Sequence, residues 1–324
     1  MSSGFGNISA TLTPVVAKKA LVQSGMIYGT LGLSIIGFIG NFLILLVTFK
    51  TKTLRNRCNF LLSILAFSDI IITLYLIQLR VFMLLDIYLI SNSFCYYTSI
   101  YGLFALNVQA GIGLVISLDR YIAVQFPFAY NRIELNKYLV LVSVPVITYA
   151  SVITCLGYFD SSTSVITPVC MPPTAYNSLS RMIWIGSNMV IVVLVIFVYF
   201  NTWLIIKKSS KSSDSLRNNV NFRQVKKVLS SLILIMLIYS STWALTVIAL
   251  LITQIFAPGT ILSKTIEQQL AWLVIINAST NFFIYMWRTK DYRDAFLIMI
   301  GYTKKAEIIS QSRVTFSKAQ MTKC

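Results

Sequence analysis

Seven long apolar runs organise the chain, at residues 24–49, 58–84, 92–125, 137–159, 180–206, 225–254 and 263–287. Each is long enough to cross a hydrocarbon core of ~30 Å as a helix. The polar stretches between them are short, except for Lys207 to Gln224, which carries Ser209, Ser210, Ser212 and Ser213 and reads as a flexible basic loop. The pattern predicts an all-α membrane protein, a seven-transmembrane helix bundle over residues 24–287. A tail (1–23) precedes it, and a segment (288–324) follows. Within that segment Tyr292, Phe296 and Ile300 recur every four residues, with Ala295 and Met299 beside them. Lys290, Asp291, Arg293 and Asp294 take the other face, which predicts a short amphipathic eighth helix on the inner leaflet.

Composition agrees with this reading. Of the 324 residues, 56 % are hydrophobic and 11 % charged, where a soluble domain carries about a quarter charged. The net charge of +17 would suggest nucleic acid in a soluble protein, but in a membrane protein Lys and Arg gather in the cytoplasmic loops. Here 22 of the 27 Lys and Arg follow spans 1, 3, 5 and 7, against five (Lys18, Lys19, Arg80, Arg181 and Lys264) on the other side. The N-terminus is therefore expected outside and the C-terminus in the cytoplasm. No nucleic-acid partner is expected; membrane lipid is. Asn7-Ile8-Ser9 on the outer tail is a glycosylation sequon, whereas Asn277-Ala278-Ser279 matches the pattern inside span 7. No cleavable signal peptide is visible in the first 20 residues, so span 1 is expected to direct insertion. With no histidine in the chain, His-based nucleophile triads and His-ligated zinc are excluded, and no cofactor is expected.

Ionisable groups in a bilayer cost ~2.5 kcal/mol or more and mark function by default. Asp69 is the clearest, in mid-membrane on span 2. Asn41, Gln109, Asn277 and Asn281 can share its depth and form a buried polar cluster with it; the bland alternative is a static hydrogen-bonded packing knot.

At these residues the chain resembles a known family. Leu118-Asp119-Arg120-Tyr121 closing span 3 resembles the Asp-Arg-Tyr motif of rhodopsin-like G-protein-coupled receptors. Gly40-Asn41 and Leu65 to Asp69 look like that family's signatures in spans 1 and 2. Asn281-Phe282-Phe283-Ile284-Tyr285 is similar to its Asn-Pro-x-x-Tyr motif, and Trp243, four residues after Tyr239, stands where its toggle tryptophan belongs. Within the superfamily the chain looks most like the nematode serpentine chemoreceptors of the Srsx class, through Leu54 to Asn59, Asp119 to Tyr130 and Cys170 to Tyr176.

The resemblance implies a plasma-membrane chemosensory receptor, in a sensory cilium or neuron, that binds an extracellular small molecule or peptide and activates a heterotrimeric G protein, with arrestin or a kinase as further partners. Asp119, Arg120, Tyr121, Tyr199, Trp243, Asn281 and Tyr285 would carry switching and coupling. In this picture Asp119 holds Arg120 at rest, and activation releases it toward Tyr199 and Tyr285, with Lys207, Lys208, Lys226 and Lys227 as a basic rim. The family's bridge between the outer end of span 3 and the loop before span 5 would join Cys95 and Cys170, leaving Cys58, Cys155 and Cys324 as thiols.

The chain also departs from the family. Phe282, Leu245 and Ile191 stand at proline positions, and span 4 lacks the expected tryptophan. Val225 stands where span 6 would supply an acidic partner for Arg120, which puts that lock in doubt. Gln109 replaces the usual serine facing Asp69, and its longer amide can fill the space of a sodium ion. Gly102, where an amine receptor has aspartate, argues against an amine ligand, and the lack of lysine between Thr265 and Trp287 argues against retinal. Candidate ligand contacts are Arg80, Tyr101, Asn107, Ser187, Thr246 and Glu267, with Arg80 and Glu267 nearest the outer mouth, where interfacial anchoring or mutual pairing is the bland alternative for those two. The competing reading is a transporter or channel, but inverted repeats, broken midplane helices and a ring of pore charges are not seen. An intramembrane enzyme would need paired aspartates on adjacent spans, which are lacking too.

Overall fold

A computed structural model describes residues 24–211, 240–256 and 260–302. Its helices follow the seven runs closely. They are α1 (Ser24–Lys50), α2 (Arg57–Leu84), α3 (Asn92–Gln125), α4 (Leu135–Asp160), α5 (Ser178–Lys211), α6 (Ser240–Phe256) and α7 (Ile261–Arg288), with α8 (Lys290–Met299) after them. Six are long and apolar enough to cross a membrane, and the described part of α6 is shorter. The expected tail with Asn7, the start of span 6 with Val225, Lys226, Lys227 and Tyr239, and Cys324 lie outside the described residues.

Starts and stops are local chemistry. Asn56 caps α2 by accepting from Asn59 N at 2.9 Å, Ser91 caps α3 by accepting from Phe94 N, and Thr260 caps α7 by accepting from Ser263 N. Such side-chain acceptors satisfy first-turn N–H groups. A short helix, Pro127–Arg132, joins α3 to α4. The final helix ends at Met299, so its inward face is Tyr292 and Ala295, and Ile300, expected on that face, is exposed.

Helix α3 is central, packed on α2, α4 and α5, while α1 bridges α2 and α7 and also meets α8. Small residues permit the close approaches. A Cβ on Gly37 would meet Ser279 Oγ at 2.6 Å, and one on Gly102 would meet Tyr75 Cγ at 2.2 Å. Between membrane helices, where lipid is as apolar as any side chain, such packing supplies much of the association energy.

The distribution of polarity is inverted relative to a soluble protein. Phe197 (64 % exposed), Leu141, Val190 and Phe67 face outward, while Asp69, Arg80, Asn107 and Arg120 are buried. Charge inside and hydrocarbon outside is stable where the surroundings are lipid.

The loop between α4 and α5 folds over the end of the bundle expected to face outward. Strands β1 (Ile90–Ser91) and β2 (Ile166–Thr167) pair antiparallel, with Ile90 opposite Thr167. Cys95 and Cys170 form the expected disulfide, Cα–Cα 5.4 Å, closing a separation of 75 residues. Asn92 Nδ2 donates to the carbonyls of Thr174 and Ala175 at 3.0 Å, and its Oδ1 accepts from Ser162 N at 3.1 Å. Val169 and Met171 of this lid pack on Ile27, Met83 and Tyr88.

Candidate functional site: a central polar knot, an inner charge clamp and an outer buried arginine

Three of the five polar residues expected at mid-membrane meet directly. Gln109 Nε2 donates to Asp69 Oδ1, and Asn281 Nδ2 donates to Oδ2 at 2.6 Å, so α2, α3 and α7 are joined through one fully buried carboxylate. Asn41 lies next to this junction rather than in it. Its Nδ2 donates to the carbonyls of Gly37 (2.9 Å) and Ala278 (2.7 Å), tying α1 to α7. Asn277 is buried one turn before Asn281. Each oxygen of Asp69 thus accepts from one amide.

At the inner end Asp119 and Arg120 are buried and paired, Arg120 Nη2 on Asp119 Oδ2. The other oxygen, Oδ1, accepts from Tyr130 at 2.9 Å and from Tyr138. Tyr130 comes from the α3–α4 connection and Tyr138 from the first turn of α4. Arg57, at the start of α2, holds this pair in place. Its guanidinium lies 4.7 Å from the Tyr130 ring centroid and 5.5 Å from that of Tyr138, and donates to the carbonyls of Tyr130 and Ile133. Sequence reading missed Arg57 and Tyr138. The only available signal was a basic residue at the start of span 2 and a tyrosine at the start of span 4, and nothing local says that they meet.

Tyr199 and Tyr285 are buried nearby, and their hydroxyls have no hydrogen-bond partner among the described residues. Tyr285 stacks on Tyr292 of α8 (centroids 5.7 Å apart), whose hydroxyl meets Thr48 Oγ1 at 2.9 Å. Tyr121 is half-buried. Trp243 is buried among the outer core residues of α3, α5 and α6, and its Nε1 has no partner among the described residues.

The candidate ligand contacts separate. Asn107 is spent on protein: its Nδ2 donates to Thr154 Oγ1 (3.1 Å) and to the Tyr176 hydroxyl (3.2 Å), and its Oδ1 accepts from Trp184 Nε1 (3.0 Å). Tyr176, in the lid, stacks on Trp184 at 5.4 Å, and burial pushes its phenol up from the ordinary tyrosine value. Ser187 links α5 to Tyr149 of α4 at 3.1 Å, and Thr246 donates to the Thr242 carbonyl of its own helix. Tyr101 is exposed, donates to Gln78 Oε1 and packs edge-on against Tyr75. Glu267 is buried and accepts from Gln254 Nε2 (3.1 Å) and Ser263 Oγ (3.4 Å). Arg80 is buried, and Glu267 is not its hydrogen-bonding partner: Arg80 Nη1 donates to Met83 Sδ at 3.1 Å. Among the described residues no cluster of His, Cys, Asp and Glu is suited to hold a metal ion.

A helix bundle with an apolar exterior, a disulfide-tied lid at one end and a buried Asp-Arg pair at the other is the architecture of a multi-pass membrane protein. The profile of the serpentine type 7TM GPCR chemoreceptors, Srsx, matches residues 34–300, and the chain belongs to that family. It is also similar to cannabinoid receptor 1 of Taricha granulosa, 24 % identical over 286 residues, covering 79 % of this chain and 58 % of that one. G-protein coupled receptor 183 of Rattus norvegicus is 24 % identical over 300 residues, covering 86 % and 82 % of the two chains. Neuropeptide Y receptor type 5 of Rattus norvegicus is 28 % identical over 118 residues, 36 % of this chain and 26 % of the receptor. The chain thus spans 58 % and 26 % of the cannabinoid and neuropeptide receptors' lengths. The family and these relatives are receptors, not enzymes.

Proposed function

We propose that the protein is a chemosensory receptor of the plasma membrane, with its N-terminus outside. An extracellular small molecule or peptide shifts the equilibrium of the helix bundle, and the cytoplasmic face then activates a heterotrimeric G protein. A ligand can do this only through differential affinity for the two states. The observation that carries the reading is the inner charge clamp. Arg120 is a permanently charged side chain held by Asp119, while the hydroxyls of Tyr199 and Tyr285 wait nearby without partners among the described residues. Released from Asp119, the guanidinium has two buried phenol oxygens to turn to, and its former place opens toward the cytoplasm. Lys207 and Lys208 are exposed at that end, with Lys207 Nζ 4.7 Å from the Trp203 ring centroid.

The strong excess of Lys and Arg on one side supports the orientation. The burial of Tyr292 and Ala295 against the bundle, with Lys290, Asp291 and Arg293 exposed, supports α8 lying along the inner leaflet. The test is Arg120→Ala in cells carrying a panel of G-protein reporters. Signalling should vanish at normal surface levels, and full signalling by this variant overturns the mechanism.

A further inference from the structure

Arg80 is 1 % exposed, three turns outward from Asp69 on α2, and has no acidic partner among the described residues. Its Nη1 donates to the weak acceptor Met83 Sδ, and its Nε has no hydrogen-bond partner among the described residues. A guanidinium stays charged at any physiological pH and offers five donors. Leaving such a group buried without an anion is among the most costly arrangements in a fold. The Tyr75 phenol is within electrostatic reach but brings no negative charge.

Among the described residues no carboxylate pairs with Arg80. Of its ten Asp and Glu, three lie on the outer side: Asp86, Asp160 and Glu267. Asp86 is exposed, Asp160 accepts from Ser180 N at 2.9 Å, and Glu267 accepts from Gln254 and Ser263. Residues 1–23 and 257–259 contain no acidic residue. Among the described residues Arg80 is thus left without a counter-charge, and a bound anion would supply one.

A second unpartnered donor lies at a similar depth. Gln268 is buried on α7, and its Nε2 has no hydrogen-bond partner among the described residues. Asp69 and Asn281 are bonded, which sets α2 and α7 at one level. Arg80 follows Asp69 by 11 residues and Gln268 precedes Asn281 by 13, which at ~1.5 Å per residue places them roughly 16 and 20 Å outward of that level. Met83, the hydrogen-bond partner of Arg80, packs against the lid residues Val169 and Met171. The arginine thus lies just beneath the lid, and its side of the bundle carries five basic residues against three acidic ones.

We propose that the ligand of this receptor is a small amphiphile with one oxyanion group (a carboxylate, sulfate or phosphate) that pairs with Arg80, assisted by the Gln268 amide, with its apolar part in the aromatic core below. Planar forked recognition of an oxyanion is what a guanidinium does best. This inference rests on the receptor reading and specifies its ligand class.

The test is thermal unfolding of the purified full-length receptor with isosteric probes: hexanoate, hexyl sulfate and hexyl phosphate against hexanol and hexylamine, with inorganic sulfate as a salt control. At least one of the three anions should raise the unfolding midpoint in a saturable way while hexanol and hexylamine do not, and Arg80→Gln should weaken that anion by about tenfold or more. Arg80→Lys, which keeps the charge and loses the fork, should retain part of the effect. If no anion shifts the midpoint, if hexanol matches the anions, or if Arg80→Gln responds as wild type does, the proposal falls. An equal shift from inorganic sulfate also overturns it, since the occupant would then be a simple ion. The comparison of probes on the wild type stands even where Arg80→Gln fails to fold. G-protein coupling is read separately, by nucleotide exchange on the wild-type receptor, so absent anion binding with intact coupling removes this inference alone.

Discussion

Removing the phenol hydroxyls that hold Asp119 should raise ligand-independent signalling. In the structure Asp119 Oδ1 accepts from both Tyr130 and Tyr138, while Oδ2 takes Arg120. Each phenol makes a hydrogen bond to a charged acceptor, worth ~1.5 kcal/mol at the lower end of such bonds, and ~1.4 kcal/mol is a factor of ten in an equilibrium. If activation frees Arg120 and disperses this cluster, Tyr138→Phe shifts the resting equilibrium about tenfold toward the active state. The double variant with Tyr130→Phe should exceed either single one but fall short of the product, because both hydroxyls share one oxygen. Arg57→Gln acts through the same tyrosines by removing its cation–π contact, worth about 0.5–1 kcal/mol at an exposed site, so a rise of roughly two- to fivefold is expected. The assay is basal nucleotide exchange on G proteins in membranes, normalised to surface receptor and checked against thermal stability. Unchanged or lowered exchange in both tyrosine variants, at wild-type stability, would refute the clamp.

Three more outcomes are expected. Cys95→Ser and Cys170→Ser should each lose surface expression, a native bridge being worth ~2–4 kcal/mol, and the double variant should be no worse; mass mapping that finds Cys95 as a thiol in the mature protein contradicts this. Asp69→Asn should change potency or efficacy with surface levels intact, because the amides of Gln109 and Asn281 lose their charged acceptor, and replacing sodium with a bulky organic cation should leave wild-type signalling unaltered. Unchanged dose–response curves would reduce Asp69 to packing. Gly102→Ala should lower the thermal midpoint by the ~1–3 kcal/mol typical of overpacking, since its Cβ would overlap the buried Tyr75 ring at 2.2 Å, and a smaller residue at Tyr75 should restore it; an unshifted midpoint in Gly102→Ala is the contrary result.

The bounds of six membrane helices and the end of span 6 were legible in the sequence to within a few residues, because crossing a bilayer demands about 20 apolar residues in succession and that demand is local. Helix α2, expected at 58–84, spans Arg57–Leu84, and α3 matches its expected bounds of 92–125. The pairing of Cys95 with Cys170 and the placing of Asp69 opposite Gln109 came from the family resemblance, and the structure contains both. Other features depended on which faces of distant helices meet. Asn41 serves the backbone of α7 rather than Asp69, and Asn107 is saturated by Thr154, Tyr176 and Trp184. Arg57 reaches residues 73 and 76 positions away. A hydrogen bond of a few ångströms depends on helix rotation and depth, and apolar periodicity constrains neither to that tolerance when lipid and core are equally apolar. For that reason sequence alone placed Arg80 and Glu267 together at the outer mouth, and only the tertiary structure decided that Glu267 bonds to Gln254 and Ser263, while Arg80 is buried with no acidic partner among the described residues.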